Sequence, residues 1–399
     1  MTDDRLTRRR LLAATGPGLA AVVAGCGYQP GGGEIDWHEE RTTSTGLSRS
    51  TDEIWLGDGR TLFHVRNRSG TSIEHDGDFG FASVDDARVT VYDSSGQVVW
   101  SLSAETQYAG DPAVAHGAAY LSLENGHVTA LEKPTGDGDP EPRWTTDWSG
   151  PALSLRAGSE LVVGVHDDGL VCFDADDGEE GFTLEREAIG ADELIDAGPA
   201  DGWVWVTTAG GPSADGNAAE FALQSITGDG SVRSMTALQG SPDWLETSGT
   251  NAVVGVDGTV SARTPAGDRR FSLALEAGTG SGTPILVDES DRLYHDSSGT
   301  LEAINIVDGE VAWRRNDYSF RGTPVADVDG IYGQGSGPDM NECGLVAVTG
   351  AGDPWWGVSS LAALDCSDDL YLVDDRLVVV TGDGMYGFRA EPGRRWTVR

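Results

Sequence analysis

The sequence predicts an all-β fold: a β-propeller of eight four-stranded antiparallel blades, with seven blades as the alternative. Three observations predict it. A Gly-Pro or Gly-x-Pro step recurs at Pro112, Pro151, Pro199, Pro242, Pro284 and Pro324, at spacings of 39, 48, 43, 42 and 40 residues. That period is the length of one propeller blade. Inside each period lies a short run with period-two alternation and a small residue near its centre, as in Val128-Thr129-Ala130-Leu131 and Leu301-Glu302-Ala303-Ile304, the pattern of a strand. A turn then leads to a strand that ends in an aromatic anchor, clearest from Asn305 through Asp308-Gly309 to Trp313.

Length agrees with a repeat. The chain has 399 residues, and a single core rarely grows beyond about 250–300 residues. Stacked units each carry their own small core and avoid that limit.

The N-terminal residues are expected to be a targeting segment and not fold. Thr7-Arg8-Arg9-Arg10-Leu11-Leu12 is a basic stretch, followed by an apolar, small-residue run from Leu11 to Ala24. The run falls short of the ~20 residues that span a bilayer and suits a signal-type h-region. Arg8 and Arg9 resemble a twin-arginine export motif. Val23-Ala24-Gly25-Cys26 resembles a lipobox, which makes Cys26 the lipidated residue and new N-terminus. The expected organisation is a signal segment over 1–26, a Gly-rich flexible tether over 27–50 and a propeller over 51–399. It implies export to the outer face of the cell membrane with a lipid anchor.

The remaining elements follow in chain order. Residues 53–66 are expected to supply an N-terminal strand that pairs with the last blade and so removes the free sheet edge. Third strands are expected around 89–92, 128–131, 170–173, 220–223, 260–263, 301–304, 345–348 and 385–388. The fourth strands end in Trp100, Trp144, Phe182, Phe271, Trp313 and Trp396. The turns before them use Gly, which tolerates positive φ. Small residues on the third strands are expected where neighbouring blades approach closely.

With these residues in place, a family resemblance becomes specific. The pattern Gly-x-Leu-x-Ala-Leu-Asp-x-x-Thr-Gly-x-x-x-Trp resembles the PQQ-like, quinoprotein-type repeat, over about residues 79–399. Two copies, near 210–235 and 340–356, are degenerate. The layout of lipid anchor plus eight blades is similar to outer-membrane-assembly propeller lipoproteins. The resemblance implies a protein-protein interaction scaffold with an envelope or membrane protein as partner. Quinoprotein dehydrogenases share the fold and bind PQQ with calcium. The Cys-Cys pair of those enzymes is absent from this sequence, and their calcium ligands and catalytic Asp match no position in it. No cofactor or metal is therefore expected, and the protein is expected not to be an enzyme.

Charge excludes another class. There are 65 acidic and 27 basic residues, for a net charge of −38, and Lys133 is the only lysine. Nucleic acid binding needs clustered cations and is not expected. An acidic, Lys-poor surface resembles haloarchaeal proteins, where salt screens the repulsion.

Several single residues have ordinary structural readings. Cys172 occupies the small-residue position of its repeat and reads as an inert core thiol. Cys343 and Cys366 lie in consecutive repeats of an exported protein and are expected to form a disulfide. The seven histidines show no zinc-ligand spacing and read as solvated turn residues. Asp174 to Glu179 lacks the spacing of a calcium loop and reads as a repeat turn.

Two insertions point to a working surface, Ala209 to Ala219 and Gly333 to Cys343, both between second and third strands. Loops at equivalent positions emerge on one face of a propeller. Gly211, Pro212, Asp215, Gly335, Pro338 and Met340 are the candidate interaction residues. The leading expectation is a monomeric, non-enzymatic scaffold. The alternatives are a module that binds a small molecule or sugar in the central channel, and a PQQ-dependent oxidoreductase.

Overall fold

The computed structural model describes residues 32–391, apart from 41–48, 77, 134–140, 211–218, 276–283, 298, 339, 341–342, 360–365, 367 and 383. It contains eight separate antiparallel sheets, so the seven-blade alternative falls. Seven blades follow one another along the chain as meanders, from blade 1 (49–103) to blade 7 (319–359). Helix among the described residues amounts to Arg186–Ile189 and a 3-10 turn at Asp288–Ser290, and no described helix is long and apolar enough to cross a membrane.

Blade 8 takes three strands from residues 369–389 and its outermost strand from the N-terminus. That strand, β1 (Ile35–Glu40), runs antiparallel to Gly384–Arg389, with Trp37 opposite Gly387 and Glu40 opposite Gly384. The expected closing segment, 53–66, is placed differently. Glu53 lies on β2 (Arg49–Gly57) and Arg66 on β3 (Leu62–Asp76), the first two strands of blade 1. The physical reason is a turn in the middle of that segment. Asp58 Oδ1 accepts the backbone N–H groups of Arg60, at 3.0 Å, and Thr61, at 2.8 Å, while Gly59 sits at φ +83°. An Asx-type turn of this kind reverses the chain, so 53–66 makes a hairpin and not one strand. The span expected as tether, 27–50, correspondingly contains β1 and the start of β2.

The third-strand pattern is now explained. In seven blades the residue near its centre pairs directly with the fourth-strand aromatic: Val91 with Trp100, Ala130 with Trp144, Cys172 with Phe182, Ala262 with Phe271, Ala303 with Trp313, Ala347 with Trp356 and Gly387 with Trp37. Six of these seven residues are small because a ring lies beside them within the same sheet. The same residues face the junction with the next blade, as Ala130 does against Leu153 and Phe173. Trp396, expected as the last aromatic, lies outside the described residues, and Trp37 takes the position opposite Gly387.

The same rings reach the next blade. Trp144 donates its indole N–H to Ala175 O at 3.1 Å, Trp313 to Gly350 O at 2.9 Å, and Trp356 to Ala390 O at 2.7 Å. Each bond satisfies a polar N–H that would otherwise be buried without a partner. The apolar core is divided accordingly into eight clusters, one per blade junction, from Phe63, Val89 and Leu121 between blades 1 and 2 to Trp55, Leu62 and Val378 between blades 8 and 1. Side chains alternate between the two junctions of a blade because successive strand residues point to opposite faces.

Blade 1 differs from the rest in length. β3 and β4 (Asp78–Tyr92) have 15 residues each and pair from Leu62–Tyr92 out to Asp76–Asp78. Their partners β2 and β5 (Val98–Ser103) reach only Ser69 and Arg88. The pair continues past both neighbours as a two-stranded ribbon, on the side of the second-to-third-strand connections.

Candidate functional site

The innermost strands of the blades surround a central channel, and its walls are acidic. Ser154–Ala157 of blade 3 carries Arg156, Glu193–Ala200 of blade 4 carries Asp196, and Pro242–Ser248 of blade 5 carries Glu246. Asp288 follows the innermost strand of blade 6. Arg156 bonds Asp196 across blades at 3.1 Å. Asp196 also accepts the N–H of Ala197 at 2.8 Å. Asp111, ahead of blade 2, accepts the hydroxyl of Ser154 at 3.2 Å.

Burial dominates the electrostatics here. It pushes Asp196 above the ordinary carboxylate range, while Arg156 and the Ala197 bond oppose it. Burial likewise raises Asp288, opposed by a Ser248 hydrogen bond and assisted by Glu289 and Asp201. Glu246 is pushed up to about 7, first by burial, with Asp196 and Asp288 adding to it and Arg156 opposing it. Charged carboxylates in a common low-dielectric space raise one another's pKa values.

Two clefts open along this channel. One, of about 680 Å³, lies on the side of the second-to-third-strand connections and includes Asp111, Arg156, His166, Arg186, Asp192 and Asp196. The other, of about 410 Å³, lies on the opposite side and includes His116, Arg156, Asp201, Glu246 and Asp288. Arg156 lines both. Such a channel favours cations or hydroxyl-rich solutes over anions. Among the described residues, no three His, Cys, Asp or Glu side chains are arranged to hold a metal ion.

The residues singled out in the sequence are dispersed. Arg8, Arg9 and Cys26 lie outside the described residues, as do Gly211, Pro212 and Asp215. The flanks of that insertion are described: Ala209 ends the second strand of blade 4 and Phe221 begins its third. In the other insertion, Gly335 belongs to the strand Gly330–Ser336, so the connection begins after Ser336. Pro338 lies in the turn that follows, and Met340 packs against the junction of blades 6 and 7. Cys343 and Cys366 are joined by a disulfide, with Cα atoms 5.8 Å apart. It ties this connection to the linker between blades 7 and 8.

Cys172 is fully buried, and burial pushes its thiol up to about 12, which leaves it protonated and inert. The Asp174 turn is filled by the chain itself: Asp174 Oδ1 accepts the N–H of Asp176 at 2.7 Å. Two histidines depart from the solvated reading. His64 is 6% exposed and stacks on Trp55 with centroids 4.1 Å apart. His295 is 1% exposed, at the junction with blade 5. Both stand on second strands, where alternation turns them inward.

Sequence reading missed the blade 1 ribbon and the channel carboxylates. The ribbon had a signal in the run of residues between 62 and 92 without a blade-length period. The carboxylates had none, since acidic residues occur throughout the chain.

Residues 56–180 match the family model PQQ_2, described as outer membrane protein assembly factor BamB. No curated protein sequence matches the chain. Among solved structures, BamB from Moraxella catarrhalis is similar at 14% identity, covering 86% of this chain and 99% of that one, with a TM-score of 0.46. The dihydro-heme d1 dehydrogenase NirN is similar at 12% identity over 77% of this chain and 72% of its own, with a TM-score of 0.49. Hsv2p of Kluyveromyces lactis is similar at 10% identity over 78% of this chain and 97% of its own, with a TM-score of 0.48. The propeller assignment stands on the eight sheets themselves. Over residues 56–180, essentially blades 1 to 3, the chain is similar to the PQQ_2 family.

Proposed function

We propose that this protein is a non-enzymatic scaffold of the cell envelope, which binds another envelope protein through the propeller face where second strands connect to third strands. The observation that carries this reading is the grouping of three irregular features on one face. They are the ribbon of β3 and β4, the connection between Ala209 and Phe221, and the disulfide-tied connection between Ser336 and Gly344. Each occupies the same position in its blade, between second and third strands. Binding residues concentrate on loops held by a rigid scaffold. The BamB-type match over residues 56–180 supports the same reading.

Export through Arg8 and Arg9 and lipidation of Cys26 belong to this proposal. The test is in-cell cross-linking of the intact protein, with partners identified by mass spectrometry. The expected result is one abundant partner joined through the ribbon, 209–219 or 333–343. Cross-links that spread evenly over all faces would defeat the reading.

The channel supports a second reading, a site for a small polar or cationic solute such as a sugar. Its basis is the cleft of about 680 Å³ lined by Asp111, Asp192 and Asp196. A solute screen by thermal shift tests it, since any ligand of the native state raises the melting temperature.

A further inference from the structure

Blade 1 holds a concentration of positive charge that is at odds with a chain of 65 acidic and 27 basic residues. Arg66 of β3 and Arg88 of β4 are directly opposed in the ladder. Directly opposed residues share a face of the sheet, with Cα atoms about 4.5–5.5 Å apart. Arg68 stands two residues along on the same face, opposite Asp86. Like charges in opposed positions destabilise a sheet, so the arrangement calls for a compensating anion.

The carboxylates of this patch do not supply it. Asp86 is engaged with Arg68, whose Nε donates to Oδ1 at 2.7 Å. Glu53, opposite Arg66 on β2, lies 3.3 Å from His64 Nε2. Arg88 donates its Nε to the hydroxyl of Ser101 at 2.8 Å, a neutral partner. Among the described residues, no ion pair joins Arg66 or Arg88 to a carboxylate. The Nε of Arg66 is moreover buried without a hydrogen-bond partner, a costly state for a charged donor. Burial and the two neighbouring arginines also depress the basicity of Arg88.

We infer that Arg66 and Arg88 form a binding site for an oxyanion, a carboxylate or phosphate group held between the two guanidinium groups at the foot of the blade 1 ribbon. Two guanidinium groups offer paired N–H donors that match the oxygens of such a group. The bound anion would satisfy the Arg66 Nε and cancel the repulsion between the pair. Arg68, fixed by Asp86, borders the site and adds to its field. The site follows from the ladder of blade 1 and does not depend on the scaffold reading. The oxyanion has two possible sources: dissolved phosphate, or an acidic side chain presented by a protein.

Calorimetric titration of the whole chain at fixed ionic strength tests this, with inorganic phosphate in one arm and a glutamate-rich peptide in the other. The expected result is saturable binding of at least one probe, weakened at least tenfold in both Arg66→Gln and Arg88→Gln. Phosphate binding without peptide binding assigns the site to a small anion. Peptide binding assigns it to an acidic partner segment. Absence of binding in both arms, or binding that survives both substitutions, overturns the inference. A second readout covers misfolding: without added anion, Arg66→Gln should melt no lower than the unchanged protein, because it removes one of two opposed like charges. A fall of several degrees there would show that Arg66 is structural and would also overturn the inference.

Discussion

The indole of Trp37 lies over Gly387 of the last blade and donates its N–H to the carbonyl of Ser94 in the first blade, at 2.8 Å. One side chain thereby closes the ring twice, within blade 8 and across to blade 1. A Cβ on Gly387 would overlap the Trp37 ring, so the glycine is required by close approach and not by its backbone angle. Trp37→Ala should cost about 3 kcal/mol, the low end of the range for truncating a large aromatic, because Trp37 is half-buried. Gly387→Val should destabilise comparably by expelling the ring. The check is the midpoint of urea unfolding, followed by tryptophan fluorescence.

Deleting 35–40 would leave Gly384–Arg389 as an open edge in blade 8. Exposed edges pair with other chains. The truncated protein should therefore self-associate, and light scattering during purification measures it. A stable, monodisperse monomer would contradict the role assigned to β1.

Asn67 forms a two-way bond with a linker: its Nδ2 donates to Tyr108 O at 2.9 Å, and its Oδ1 accepts the Tyr108 N–H at 2.8 Å. Asn67 is buried, and these bonds hold the connection between blades 1 and 2. Asn67→Ala leaves both backbone groups without that partner, at a cost of about 1–3 kcal/mol. Hydrogen exchange at the Tyr108 amide should accelerate in the same variant.

The disulfide spans a sequence separation of 23 residues. Loop closure of that size stabilises by about 3 kcal/mol in the chain-entropy model. Cys343→Ser with Cys366→Ser should lower the melting temperature, and a reducing agent should lower it in the unchanged protein but not in the double variant.

Glu246 gives the channel a pH dependence. Its folded-state pKa is raised to about 7 from 4.5, so the native state holds this proton more tightly than the unfolded chain. The stabilising contribution is fully present below pH 4.5 and is lost as pH rises through 7. Glu246→Gln, which stays neutral, should flatten that loss between pH 4.5 and 7. Above pH 7 it should be more stable than the unchanged protein, on the order of 3 kcal/mol at most. Urea midpoints measured across pH 4–8 decide it. Equal slopes for both proteins would rule out Glu246 as the titrating group.

The blade repeat was legible because its causes are local. Alternation marks each third strand, a Gly-bearing turn follows it in most blades, and an aromatic anchors the next strand within about a dozen residues. The two degenerate copies keep their third strands, at Phe221–Thr227 and Gly344–Thr349. The site was less legible. Arg66 and Arg88 are 22 residues apart, and only the register of a long hairpin opposes them. Glu246, Asp196 and Asp288 come from three blades, so nothing in their own neighbourhoods marks them.

By itself, then, the sequence determined the all-β class, the blade period and the residues that occupy each third strand, because strand alternation and turn chemistry act over a few residues. Only the tertiary structure decided which N-terminal segment closes the ring. Residues 53–66 read as the closing strand and 35–40 as part of a tether, but the Asp58 turn commits 53–66 to a hairpin, and Trp37 finds its place only opposite Gly387, some 350 residues away along the chain. Pairing over such a distance depends on the whole ring having assembled, since each blade must dock on its neighbours before the last edge and the first strand can meet.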